Sequence, residues 1–405
     1  MGFSKKTIRD VDLKGKRVVM RVDFNVPIKE GKVTDDTRIK AALPSIQHII
    51  NQGASLVLMS HLGRPKGEGF ESKYSLSPVS QRLSELLNKE VHMASDCIGE
   101  SVVALAQSLK PGDVMLCENT RFHKAEDMKA KTDEDKKTQA DFAQELSKLG
   151  EVYVNDAFGA AHRAHGSTAI ICKYIPVSVA GFLMEKEIQY LDQAVESPEH
   201  PFIAIIGGAK VSDKLTVLKS LISKCDSILI GGGMAYTFLK AKGHSIGKSL
   251  CEVDLIETAK EILAEAEKKG VKFLLPLDNM AADEFKNDAQ IKTVANDIPD
   301  NWMALDIGPQ TVQSYAAEIA KAKTILWNGP MGCFEMPNFA KGTMDICKHV
   351  AESKSVSIVG GGDSVAAVNQ SGLSAKFTHI STGGGASLEL LEGKKLPGIV
   401  ALNDK

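Results

Sequence analysis

Apolar positions along the chain fall into two alternating arrangements. Short runs of consecutive apolar and β-branched residues occupy 17–22, 55–59, 113–117 and 151–154 in the first half. The second half repeats them at 202–206, 227–230, 272–275, 324–327 and 355–359. Between them lie longer segments with the three-to-four spacing of amphipathic helices. One such helix is predicted over 78–88, with Ser77 as its N-cap and Pro78 at its first position. Strands that are apolar at every position, not at alternate ones, are buried on both faces. Their alternation with helices predicts an α/β fold with parallel sheets covered on both sides. At 405 residues the chain exceeds one average core, so two domains are expected. The boundary falls near 174–201, where a helix-like run over 184–195 ends in ESPEH. The expected division is 1–172, a linking helix or hinge at 173–199, and 200–389.

In parallel sheets ligands gather at the carboxyl ends of the strands, so the residues just past each strand are informative. In the first half these residues are polar and basic. Asp23 and Asn25 stand in VDFNVP, His61 and Arg64 in SHLGRP, Arg121 in ENTRF, and Arg163 in NDAFGAAHRAHGS. Arg38 lies in the first turn of a helix expected to begin near 35–36. One such arginine alone would be a surface ion pair. Four arginines at one sheet edge, with a histidine, form a pocket for a small, multiply charged anion, because guanidinium forks match carboxylate and phosphate geometry. Gly63 between His61 and Arg64 lets the chain turn tightly there. His162 and His165, which flank Arg163, read as residues that structure the loop.

In the second half the strands run into glycines: IIGGAKVSDK (205–214), LIGGGMAY (229–236), LWNGPMG (326–332), IVGGGDSVAA (358–367) and ISTGGGAS (380–387). Glycine lets backbone N–H groups approach phosphate oxygens with a helix N-terminus behind them. Lys210 and Lys214 are four apart at the head of an expected helix, which would put both ammonium groups on one side. Asp363 comes after a glycine triplet at a helix start, where a carboxylate can cap the helix or hold Mg²⁺ beside nucleotide oxygens. GHSIGKS (243–249) is one residue short of a P-loop and comes after a helix-like stretch. No triplet completes G-x-G-x-x-G, since Tyr236, Val365 and Leu388 stand where the last glycine belongs, which disfavours a dinucleotide dehydrogenase.

Composition narrows the field further. A net charge of −2 with no basic tail speaks against nucleic acid as partner. No apolar run is long enough for a membrane span, and the N-terminus lacks the apolar core of a secretory signal. Seven scattered cysteines, with no C-x-x-C and none paired with a histidine at metal spacing, read as reduced thiols of a cytoplasmic protein. Neither a nucleophile elbow nor a Ser–His–Asp or Cys–His arrangement is evident. Transfer of a phosphoryl group to an already ionised carboxylate needs no general base, only alignment and charge neutralisation, and the chain fits that type. Two other classes stay open on these grounds: a non-catalytic protein closing two domains on a phosphorylated metabolite, and a kinase for a different carboxylate.

The stretches RVDFNVP (21–27), SHLGRP (60–65), ENTRF (118–122), VNDAFGAAHRAH (154–165), GGAKVSDK (207–214), WNGPMGCFE (327–335), GGGDS (360–364) and STGGGASLELLEG (381–393), in this order, resemble the phosphoglycerate kinase family. The resemblance implies two Rossmann-like three-layer domains joined by a long helix, with the tail 390–405 returning to the first domain. It implies a monomeric glycolytic enzyme that reversibly transfers the acyl phosphate of 1,3-bisphosphoglycerate to ADP with Mg²⁺, by in-line transfer with hinge closure. Carried over, Asp23, Phe24, Asn25, Arg38, His61, Leu62, Gly63, Arg64, Arg121 and Arg163 bind 3-phosphoglycerate. Arg38, Lys210, Gly361 and Gly362 serve the phosphoryl group in transfer. Gly208, Ala209, Lys210, Lys214, Gly232, Ala304, Leu305, Asn328, Glu335 and Gly361 through Ser364 hold ATP or ADP, with Gly362 and Asp363 among them and Asp363 as the Mg²⁺ ligand. Ala304 stands where many members have glycine near the adenine pocket. The charged stretch 124–148 is longer than in compact members and reads as a solvated loop and helix.

Overall fold

A computed structural model describes residues 4–405. The chain forms two compact units, one running to Gln189 and taking in Lys395–Lys405, the other Tyr190–Lys394. The first is built on an all-parallel sheet of β1 (Arg17–Arg21), β2 (Ser55–Met59), β3 (Val91–Met93), β4 (Val114–Leu116), β5 (Val152–Asn155) and β6 (Val177–Ala180). Their spatial order is β3-β4-β2-β1-β5-β6. β2 is buried at all five positions, as its unbroken apolar run requires. Val18, Met20, Leu56 and Leu58 pack with Ile39, Ile46 and Ile49 of the helix Thr37–Asn51. The tail joins this unit: Gly398 N–H donates to Ala161 O at 2.8 Å, and Asn155 Nδ2 donates to Gly398 O at 3.0 Å.

The second unit starts with β7 (Phe202–Ile206), β8 (Ser227–Ile230) and β9 (Lys272–Leu274). An antiparallel insertion comes next: β10 (Asp278–Ala282), β11 (Ile291–Ala295) and β12 (Met303–Ile307), in the order β11-β10-β12. β13 (Thr324–Asn328), β14 (Val356–Gly360) and β15 (His379–Ile380) return to the main parallel sheet, ordered β9-β8-β7-β13-β14-β15.

Several expectations change. The helix Ser77–Leu87 starts one residue earlier than predicted and has no side-chain cap; instead the Glu118 carboxylate accepts from Leu76 N–H and Ser75 Oγ, each at 2.7 Å. The helix after β7 is Leu215–Ile222, with Lys214 at its N-cap, so Lys210 lies in the preceding loop and shares no helix face with Lys214. Segment 124–148 is not wholly solvated. A Thr132–Asp135 capping box starts the helix Asp133–Ser147, which buries Phe142, Ala143 and Leu146, and Glu126 ahead of it is fully buried.

The predicted linking helix is Phe182–Glu196. Its first turn is held within the first unit, where Ser45 Oγ accepts from Phe182 N–H at 2.8 Å and Asp156 Oδ1 from Met184 N–H at 2.9 Å. A Cβ on Gly181 would come within 2.3 Å of Asp156 Cγ, so the helix is entered through a residue without a side chain.

Candidate active site

In the first unit, the loops after β1, β2 and β4 are tied into one rim. The Asp23 carboxylate, just beyond β1, accepts from Arg38 Nη1 at 3.1 Å on both oxygens, and Asn25 O accepts from the same nitrogen at 3.2 Å. Asn25 Oδ1 accepts from Gly63 N–H at 2.9 Å. Gly63 has φ +60°, and a Cβ there would meet the Tyr74 ring at 2.5 Å, so only glycine makes this turn. Arg121 Nη1 donates to Gly63 O at 2.9 Å and its Nε pairs with Asp127 at 2.9 Å. Asn119 joins the β2 and β4 loops: its Oδ1 accepts from Leu62 N–H and Arg121 N–H, and its Nδ2 donates to Leu62 O and Tyr74 O. Phe24 and Leu62 are core side chains that do not face a ligand, and their N–H groups bond Ser60 Oγ and Asn119 Oδ1. Arg64 and Arg163 are exposed, and Arg163 Nε donates to His162 Nε2 at 3.1 Å.

His61 is oriented from behind by a residue that opens the RVDFNVP stretch but was given no role there. Arg21, the last residue of β1, is fully buried, and its Nη2 lies 3.0 Å from His61 Nδ1. A guanidinium only donates, so Nδ1 accepts and the ring hydrogen sits on Nε2. Burial, then the Arg21 charge, holds the imidazole well below its usual range, so it stays neutral and donates without adding charge. Arg21 Nε in turn donates to Ser167 Oγ at 2.7 Å. Glu126, 3.8 Å from the guanidinium, accepts from Ser167 N–H and Oγ. His165 is buried beside this network, and burial with the Arg21 charge pushes its pKa down to about 3. Arg21 was signalled by a charge at the end of an apolar strand and by its place at the head of RVDFNVP; Glu126 was hidden in a run of charged residues.

In the second unit, β7, β13 and β14 end level, with Ile206, Asn328 and Gly360 in register. The glycines here first serve close packing of backbone on backbone. A Cβ on Gly207 would stand 2.0 Å from Pro330 O, and one on Gly232 (φ +70°) 2.6 Å from Gly208 O. The helix Gly362–Ser371 begins after Gly361 at φ +93°, with Gly362 and Asp363 exposed in its first turn. Ser364 Oγ accepts from Gly329 N–H at 2.5 Å, and Asn328 Nδ2 donates to Gly360 O at 2.9 Å. Lys214 Nζ hydrogen-bonds Asn328 Oδ1, and burial lowers its pKa. Ala209, Lys210 and Glu335 are exposed, whereas Ala304 and Leu305 of β12 are nearly buried. The rim thus combines an exposed helix start, an ammonium group among strand ends and an exposed carboxylate. Such N–H and ammonium donors suit phosphate, and Asp363 suits a hard divalent cation.

The phosphoglycerate kinase family model matches residues 8–394. The chain belongs to the phosphoglycerate kinase family. It is 53% identical over 408 residues to the phosphoglycerate kinase of Clostridium tetani, covering all of this chain and 99% of that one. It is 54% identical over 404 residues to that of Moorella thermoacetica, with both chains fully covered. The structure of phosphoglycerate kinase from Coxiella burnetii superimposes with a TM-score of 0.88 at 42% identity, and that from Pyrococcus horikoshii with 0.83 at 34%, each covering 98% of both chains. The chain is therefore a phosphotransferase of glycolysis acting between 1,3-bisphosphoglycerate and ADP to give 3-phosphoglycerate and ATP. Among the described residues no helix is long and apolar enough to cross a membrane.

Proposed function

We propose that 3-phosphoglycerate is held by the Asp23–Arg38–Asn25–Gly63–Arg121 rim and the nucleotide by the glycine rim, with direct in-line transfer between them. The observation that carries this reading is the chain of bonds from Asp23 through Arg38, Asn25 and Gly63 to Arg121, which joins basic groups from separate loops into one rim. Neutral His61 offers Nε2–H to the substrate, and Arg64, Arg121 and Arg163 supply the charge that an anion with a carboxylate and a phosphate needs. Asp23 and Asn25 take the remaining glycerate hydroxyl.

On the nucleotide side, Lys214 and the N–H groups of 361–364 take phosphate oxygens, while Gly208, Ala209 and Gly232 let the backbone come close. Ala304, Leu305 and Asn328 line the base side, and Glu335 takes the ribose. Asp363 is the residue that would hold Mg²⁺, which when bound offsets the nucleotide's phosphate charge. Arg38 and Lys210 act on the three equatorial oxygens of the moving group, where stabilisation raises turnover more than affinity. Because the carboxylate acceptor is already ionised, no residue is required as a base. The two rims belong to different units, so closure about the helix Phe182–Glu196 accompanies transfer. A monomer working in the cytoplasm is sufficient for this scheme.

The test is consumption of ATP with 3-phosphoglycerate and Mg²⁺, the acyl phosphate being trapped by glyceraldehyde-3-phosphate dehydrogenase and NADH. Turnover of ~1–10³ per second that stops with EDTA supports the assignment. A folded sample that binds nucleotide but stays silent would assign the basic rim to another anion.

A further inference from the structure

The loops after β3 and β4 carry a set of donor groups that the reaction does not use. The two strands pair in parallel, with Met93 opposite Leu116, so the loops beyond them emerge side by side. Asp96 and Cys97 lie past one strand and His123 past the other. Their carboxylate oxygen, Sγ and ring nitrogen all lie within 4.8 Å of one another. Remoteness in sequence is why no spacing pairs these groups. We propose that Asp96, Cys97 and His123 form a site for a thiophilic divalent cation, zinc foremost.

The donor set selects the metal. A thiolate, an imidazole and a carboxylate suit zinc or cobalt, whereas Mg²⁺ and Ca²⁺ seek oxygen alone. Zinc bonds of about 2.0 to 2.3 Å at tetrahedral angles put donor atoms about 3.5 Å apart, so the Asp96–His123 pair must open by about an ångström, while every donor already lies within 4.8 Å of the others. Two of the groups are already pre-set: Asp96 Oδ1 is 2.6 Å from His123 Nε2 and accepts from Cys97 N–H at 2.6 Å. The His123 ring lies against Phe142, with centroids 5.4 Å apart. A cavity of about 630 Å³, lined by His123, Glu68, Lys124, Asp141 and Glu145 among others, brings solvent to the His123 ring. The competing account, an Asp96–His123 ion pair above a core cysteine, explains two of the groups and leaves the third donor coincidental.

Binding releases one proton: the Cys97 thiol gives its own to solvent as the metal–sulfur bond forms, while neutral His123 binds through Nε2 with its ring hydrogen on Nδ1. Burial holds that thiol protonated well above its usual range, so affinity rises with pH.

The test is titration of the metal-free full chain with Co²⁺ and then Zn²⁺. Expected are one equivalent of cobalt per chain, a sulfur-to-cobalt charge-transfer band in the near ultraviolet, and its loss on adding zinc. Cys97→Ser should abolish the band, and His123→Ala should weaken binding at least about tenfold. Cys97 is buried, so the fold of the serine variant is checked by circular dichroism; if it fails, His123→Ala, at a half-buried position, carries the comparison. No band, or a band whose affinity is unchanged in His123→Ala, overturns the proposal.

Discussion

His61 is held neutral by its burial and then by the charge of the buried Arg21, and this shapes how the basic rim responds to charge and pH. Its neutrality leaves anion attraction to the arginines, of which Arg38 is bonded to Asp23 and thus aimed. Arg38→Ala should lower kcat by about 10²- to 10³-fold with a smaller change in KM; steady-state kinetics showing only a raised KM would restrict Arg38 to ground-state binding. His165 gives a second prediction. Its pKa is about 3 when folded against 6.5 for a free side chain, so between those values the unfolded chain binds more protons. Stability from this group is complete above about 6.5 and is lost as pH falls toward 3. His165→Gln should flatten that acid limb in urea titrations, and an unaltered limb would count against it. The bonded part of the rim was legible because Asp23, Asn25 and Arg121 stand just past apolar runs, whereas Arg64 and Arg163 are exposed and, among the described residues, make no bond into it. Arg21 and Glu126 escaped because their role depends on what the fold buries beside them.

Among the elements, the glycine loops are tighter than phosphate binding alone demands. Gly207→Ala would drive a methyl into Pro330 O, so a loss of about 2 kcal/mol or more is expected, read as a lower melting temperature together with weaker nucleotide binding. Asp363→Asn leaves those contacts alone. It should weaken Mg-nucleotide binding and spare 3-phosphoglycerate, which calorimetry on each ligand can separate. Elements with long apolar runs were readable to within a residue or two. The edge strands β3, β6 and β15 have only two to four residues, too few to show a period. The antiparallel insertion alternates between exposed and half-buried positions in β11 and uses alanines in β10, so it lacks the continuous apolar signature of the parallel strands.

At the scale of the whole chain, the residues proposed for substrate and those proposed for nucleotide sit in separate units, which makes the proposed closure measurable. Small-angle scattering with both ligands should show a smaller radius of gyration than with either alone; no compaction would remove hinge closure from the scheme. The segment Lys395–Lys405 adds a consequence of another kind. Gly398 bonds to Ala161 and Asn155, at the end of β5 and in the loop leading to Arg163, so residues synthesised after the whole second unit complete the one synthesised before it. The first unit is therefore built from both ends of the chain, and the second from one continuous stretch between them. A chain lacking 395–405 would keep every residue of the second unit and lose the hydrogen bonds that Gly398 makes to Ala161 and Asn155 in the first.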